Sequence, residues 1–410
     1  MSRSECPFDL QAVREQFPAL GKQMPDGVPV VFFDGPAGSQ VPRSVVDAVS
    51  HYMLHTNCNH GAPFQTGVES DRVLDAAQDA FADFVGAADS DCIAFGANMT
   101  TLTLSLSRAL ARTWRAGDEI IVSRLDHDAN FTPWVLAARD AGAVVHCIDV
   151  RPDDCTLDWE QYAALLNERT RLVAVGYASN ATGTINPVKK MTQAAHRVGA
   201  LVYVDAVHFA PHRRIDVSEL DCDFLICSAY KFFGPHVGIL YGKRAHLESV
   251  TPYKLRPAPN ELPGRWMTGT QNHEGIAGAM AAVNYLASLG DDTNRQTALT
   301  QAFDKIAAWE TQLSDHLLSG LTARPELRVF GITDPSRFSQ RVPTVSFVSS
   351  KESPREMAQR LAAVGICVWS GNHYALPFTE AMDLEPQGTL RVGLLHYNTP
   401  EEIDRFLHEL

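Results

Sequence analysis

The stretch Ser228-Ala229-Tyr230-Lys231-Phe232-Phe233-Gly234-Pro235 places one lysine in a short turn behind an apolar run, Phe224 to Cys227. Asp205 closes the apolar run before it, Leu201-Val202-Tyr203-Val204. A lysine amine can form an imine with an aldehyde. A carboxylate at the end of an apolar strand must be solvated, capped or paired with a cation. The pair suits pyridoxal 5′-phosphate (PLP): the lysine bonds the cofactor aldehyde, and the aspartate keeps the pyridine nitrogen protonated, so the ring takes up electrons from a substrate carbanion. Most lysines are solvated surface charges, but the Phe, Tyr and Gly-Pro neighbours of Lys231 argue against that here.

Other stretches carry chemistry at similar places. Phe95-Gly96-Ala97-Asn98-Met99-Thr100-Thr101 leaves a strand and opens a helix, where free N–H groups with Asn and Thr side chains make an anion site or an ordinary cap. Asp126-His127-Asp128-Ala129-Asn130 follows another strand, and its histidine can stack on a planar ring, move protons or sit in a surface turn. Tyr177-Ala178-Ser179-Asn180-Ala181-Thr182-Gly183-Thr184 follows a third, with Asn180 free to donate to a ring oxygen or a carboxylate, or to shape the turn. His208 and His212 have metal-ligand spacing for one helical face, but Pro211 interrupts that helix and no third ligand stands out, so no metal is expected.

The elements that must position these residues alternate regularly. Strands are predicted at 93–95, 119–122, 144–148, 172–175, 201–204, 224–227 and 238–241, with helices near 100–114, 130–141, 158–166 and 187–198. Such strand-then-helix units predict an α/β fold with a mostly parallel seven-stranded sheet flanked by helices, binding ligands beyond the strands' carboxyl ends. Before them come a short helix capped by Asp9 (10–17), an apolar strand Val30 to Phe33, and helices at 42–55 and 69–85. After Gly242 a Pro-rich stretch leads to long helices at 273–289 and 295–320. Strands near 327–330, 342–348, 366–369 and 388–393 and helices at 353–364 and 400–409 then read as a smaller α+β domain. The expected division is an N-terminal segment 1–30 packing with the small domain, a cofactor-binding large domain 31–270, and linking helices with the small domain at 271–410.

The 410 residues carry a net charge of −13, which gives a nucleic-acid role no electrostatic footing. No apolar run approaches a membrane span, and the N-terminus lacks the apolar stretch of a signal peptide. The eight cysteines form no Cys-x-x-Cys pair, which fits reduced thiols in a cytoplasmic protein.

Taken in order, Asp34-Gly-Pro-Ala, Thr100, Asp126-His127-x-Ala-Asn130, Ser179-Asn180-x-x-Gly183-Thr184, Val204-Asp205, Ser228-x-x-Lys231-x-x-Gly234-Pro235, Gly269-Thr270 and Leu390-Arg391-Val392-Gly393 resemble the class V aminotransferase and cysteine desulfurase family, a branch of the fold type I PLP enzymes. The resemblance implies that Lys231 bonds PLP, Asp205 pairs with the pyridinium nitrogen and His127 stacks on the ring. Asn98, Met99 (through its amide), Thr100, Ser228 and Tyr230 would hold the phosphate. Thr270 would reach the phosphate of a neighbouring subunit, implying a homodimer with shared sites. Asn180 and Arg391 would bind the substrate α-carboxylate. Tyr230 replaces the family's usual histidine before the lysine, and His208 replaces a frequent glutamine near the cofactor's phenolic oxygen. In Trp369-Ser370-Gly371-Asn372-His373-Tyr374-Ala375, Tyr374 stands where desulfurases carry a persulfide-forming cysteine and Trp369 where they carry an arginine. Of the remaining cysteines, Cys367 lies in the preceding strand and Cys58 in a loop that could approach the site.

His127, unlike the tryptophan of many transaminases of this class, resembles the desulfurase and C–S lyase subgroup. Without a loop cysteine, the expected reaction is direct β-elimination from an amino acid, with Tyr374, His208 or His373 as acid for the leaving group. The alternatives are an aminotransferase or epimerase on the same scaffold and a non-catalytic PLP-fold binding protein, against which the intact Lys231/Asp205 pair speaks.

Overall fold

The computed structural model describes residues 6–410. Its largest sheet has seven strands in the order 93–96, 238–242, 224–228, 201–205, 170–176, 119–123, 144–148. All neighbours pair in parallel except Gly238–Gly242, which runs antiparallel to the strands on both its sides. Strands such as Glu119–Ser123 and Phe224–Ser228 are buried along their whole length, because helices cover both faces. One apolar cluster on each face holds those helices. The strand carboxyl ends therefore share one edge, where Asn98, His127, Asn180, Asp205 and Lys231 all emerge.

A second, antiparallel sheet has the order Trp369–Gly371, Thr389–Gly393, Thr344–Ser349, Leu327–Phe330. Arg295–Thr322, Pro354–Ala363 and Pro400–Glu409 contribute to the apolar cluster beneath it. The last two helices open with capping boxes, from Ser353 with Glu356 and Thr399 with Glu402. The first thirty residues serve two clusters: Phe8 and Leu10 pack beneath this sheet, while Val13, Phe17 and Leu20 join the core of the large sheet. Arg14 pairs with Glu402 at 2.9 Å.

Three elements differ from the sequence expectation. The predicted strand 366–369 is two strands: Ile366–Cys367 pairs with Val31–Phe32, and Trp369–Gly371 joins the antiparallel sheet. The apolar run is unbroken there, so its pattern carries no mark of the change of partner. The helix predicted over 42–55 ends at His51 and continues as a π turn, Tyr52–Thr56. The helix predicted from 69 begins at Gln65, where no side chain caps it and so no start signal exists.

The antiparallel sheet meets the chain leaving Val31–Phe32 at a tight turn. Gly393 N–H donates to Phe33 O at 2.8 Å, and a Cβ on Gly393 would lie 2.1 Å from Pro36. Gly393→Ala should therefore lower stability by about 1–3 kcal/mol through overpacking. Gly21→Ala, where nothing lies within 4 Å, serves as the control. Urea denaturation of both variants reads the difference.

Candidate active site

Lys231 ends the short turn Ala229–Lys231 behind the Phe224–Ser228 strand. Its Nζ donates to the carbonyls of Pro36 and Ala37, the latter at 3.0 Å, and lies 4.7 Å from the Tyr230 ring centroid. Burial, helped by the Arg391 charge, pushes this amine down to about 7, while Asp205 and Asp34 pull it upward. A large fraction is thus an uncharged nucleophile at neutral pH.

Asp205 closes its strand and is 7% exposed. One oxygen accepts from Val207 N–H at 2.9 Å, and no hydrogen bond reaches the other. Burial raises this carboxyl to about 6, against that hydrogen bond and the Lys231 charge. Asp126, two strands away, is raised to about 7 by burial, against a hydrogen bond from Ser123 (2.8 Å) and with Asp205 adding repulsion.

His127 Nδ1 accepts from Ala129 N–H at 3.0 Å, so the neutral ring carries its proton on Nε2. Burial, then Lys231 and Arg391, lower it to about 4 and keep it uncharged. Its ring lies parallel to that of Tyr374, with centroids 5.5 Å apart at 14°.

Asn98 caps the Met99–Ala111 helix by accepting from Thr101 N–H at 2.9 Å. Met99 N–H donates to Ser228 Oγ at 3.0 Å, bringing the helix start and the lysine strand together. Gly238 makes this possible, since a Cβ there would lie 2.5 Å from Asn98 backbone. Thr100 is exposed at the same helix end. Tyr230 stacks on His236 at 4.9 Å.

On the opposite wall Arg391 is 5% exposed and donates to Asn180 O at 3.0 Å. Among the described residues no carboxylate lies within ion-pair distance of it. Burial lowers its guanidinium to about 9, so it remains a cation. Asn180 Nδ2 donates to His373 O at 2.9 Å, while its Oδ1 is buried without a partner. The amide expected to donate into the site is thus committed to the 371–375 loop, and its carbonyl oxygen is the group left open. His208 hydrogen-bonds Thr344 (2.9 Å) and His373 hydrogen-bonds Thr389 (3.1 Å), both kept neutral by burial. His212 pairs with Glu310 at 3.0 Å.

Trp369 and Tyr374 are 54% and 73% exposed at the rim. Thr270 is exposed. Cys58 is held at its carbonyl by Tyr52, Ser70 and His273, and burial raises the Cys367 thiol.

Asp34 lies in the Asp34-Gly-Pro-Ala motif, whose pattern assigns it no role. Its Oδ1 is buried without a partner, and burial raises it to about 6 against the pull of its own backbone amide, Arg391 and Lys231. The Asp34-Gly-Pro-Ala run was its only sequence signal. Arg341, also missed, is buried and donates to the Ile332, Thr182 and Thr344 carbonyls. It fixes the 179–184 loop against the second sheet, and nothing in its sequence neighbourhood marks it.

Residues 31–406 match the family model for class V aminotransferases. The chain belongs to that family. A probable cysteine desulfurase of Mycolicibacterium paratuberculosis is 34% identical over 98% of this chain and 57% of its own length. The chain also covers only 62% of a 33% identical cysteine desulfurase of Synechococcus elongatus, so it spans about six-tenths of these two relatives. An aminotransferase-like protein of Gibberella zeae is 33% identical over 98% of both chains. Among solved structures, an apo cysteine desulfurase from Thermococcus onnurineus superposes with a TM-score of 0.88 at 26% identity, covering 100% of this chain and 98% of the other. The family is PLP-dependent, and the α/β architecture is that of its cysteine desulfurases.

The cluster fits that cofactor. A buried amine lowered to about 7, a buried carboxylate with one oxygen unengaged among the described residues and a neutral imidazole surround one strand edge, and the orphaned Asn180 oxygen calls for a polar partner.

Proposed function

We propose that this chain binds PLP through Lys231 and eliminates the β-substituent of a sulfur-containing amino acid, as a cysteine-desulfurase-like C–S lyase without a persulfide cysteine. The observation that carries the reading is the pairing of Lys231 and Asp205 with a rim that presents Tyr374 and no thiol. Asp205 would hold the ring nitrogen, His127 a ring face, and Asn98, Met99, Thr100, Ser228 and Tyr230 the phosphate. PLP, when bound, supplies an electron sink for the pair left at Cα. His208 stands three residues past Asp205, near the expected phenolic oxygen.

Arg391 binds the substrate carboxylate with its free guanidinium edge. Lys231 takes the Cα proton, and the Cβ–S bond breaks with its electron pair on sulfur. Tyr374 protonates the leaving thiolate: its hydroxyl makes no hydrogen bond among the described residues, whereas His208 and His373 each have a ring nitrogen engaged. The released 2-aminoacrylate takes up water and gives pyruvate and ammonium. Buried cysteines with raised thiols, such as Cys155 at about 11, support a route without a persulfide.

The family's shared-site homodimer is part of this proposal, with exposed Thr270 turned to a second copy. So is a cytoplasmic setting; among the described residues no helix is long and apolar enough to cross a membrane. The aminotransferase-like relative favours transamination as a second reading.

Incubating the holoenzyme with cysteine, cystine and thioether amino acids, with and without a keto acid, separates the two. Elimination predicts catalytic pyruvate and ammonia with no keto acid present. Amino-group transfer that requires the keto acid would remove the lyase reading.

A further inference from the structure

We infer that the site selects an amino acid whose β-substituent is bulky, uncharged and aromatic, an S-aryl cysteine thioether under the elimination reading. This rests on the proposal that Arg391 takes the α-carboxylate. Trp369 is the direct cross-strand partner of Arg391, and so is Ser346 on the other side. Directly opposed residues project from the same sheet face. Ser346 Oγ donates to Ala181 O at 2.7 Å, which shows that this face looks onto the 179–184 loop. The half-exposed indole of Trp369 therefore stands beside the carboxylate site on its substrate side.

The second wall is Tyr374. It follows His373, and the two have left-handed φ of 57° and 56°, a conformation that costs non-glycine residues energy. Four hydrogen bonds hold the loop there: Asp128 N–H to Tyr374 O (2.6 Å), Asn180 Nδ2 to His373 O (2.9 Å), His373 Nε2 with Thr389 Oγ1 (3.1 Å) and Tyr374 N–H to Asn372 Oδ1 (3.1 Å). These bonds hold the backbone that carries the phenol, whose ring lies parallel to His127 with most of its surface uncovered.

Charge completes the argument. No lysine or arginine occurs between Arg360 and Arg391. Of the other cations just past the strand ends, Arg124 is paired with Asp149 at 2.7 Å and Arg151 with Glu160. Once Arg391 holds the α-carboxylate and Lys231 serves the reaction, an acidic side chain has no partner. A small thiol leaves both aromatic walls uncovered, whereas an aryl group covers them.

The test uses carboxylates that lack the amine and so bind without reacting: 3-(phenylthio)propanoate, 3-(methylthio)propanoate and 3-(carboxymethylthio)propanoate, titrated into holoenzyme by calorimetry. The phenyl compound should bind at least about tenfold more tightly than the methyl compound, and the carboxymethyl compound most weakly. Trp369→Ala should reduce the phenyl preference while leaving the methyl compound's Kd within about twofold, and Tyr374→Ala should reduce the phenyl preference as well. Equal affinity for the three, or a phenyl preference that survives both substitutions, overturns this inference and leaves the lyase reading standing. Binding of none of them overturns the Arg391 assignment as well.

Discussion

Lys231→Ala abolishes turnover, with a loss of at least about a thousandfold, because the covalent attachment and the proton acceptor disappear together. Borohydride treatment of wild-type holoenzyme should fix a cofactor-sized mass on residue 231, and the variant should show none. Lys231→Arg separates chemistry from charge. It preserves a cation near Asp205 and Asp34, so it should fold and still lack both the adduct and activity. The free amine also has a pH signature. With its midpoint lowered to about 7 by burial and Arg391, its acylation in cofactor-free protein should rise through neutrality, far below the ordinary lysine range. Asp205 stabilises the charged form, so Asp205→Asn should move that midpoint lower. Arg391 opposes the charged form, so Arg391→Leu should move it higher. Activity that persisted in Lys231→Ala would remove the lysine from the reaction.

Arg391→Leu is expected to act on activity and stability in opposite senses. The guanidinium is buried without a carboxylate at ion-pair distance among the described residues, so its desolvation is poorly offset before substrate arrives. Replacing it with an apolar side chain should leave the melting temperature of the cofactor-free protein unchanged or raised. In the enzyme the same change removes the partner of a desolvated substrate carboxylate, a loss of about 2–5 kcal/mol, or roughly 30- to several-thousand-fold in kcat/KM. Arg391→Lys keeps the charge but not the two-pronged geometry and should fall between. A large drop in melting temperature for Arg391→Leu would mark the residue as structural instead.

The alternation of apolar runs and amphipathic stretches made the seven-stranded sheet legible, since strands buried on both faces leave near-continuous apolar segments. It also exposed Asp205 and Lys231, charges that interrupt such a pattern where parallel strands end. Arg341 and the free oxygen of Asp34 left no such trace. Their meaning depends in part on groups far away in the chain, the Thr182 carbonyl for Arg341 and the Lys231 and Arg391 charges for Asp34.

Residue order alone thus determined the family, the strand edge on which its reactive groups lie, and the tyrosine at position 374. Tertiary structure decided which groups are engaged and which are open: Asn180 spends its amide on the 371–375 loop, Lys231 rests on the Pro36 and Ala37 carbonyls, and Trp369 shares a face with Arg391. Sequence spacing fixes what a local segment can form. Desolvation and cross-strand register depend on packing between distant segments, and those set the protonation and reach of every group in the site.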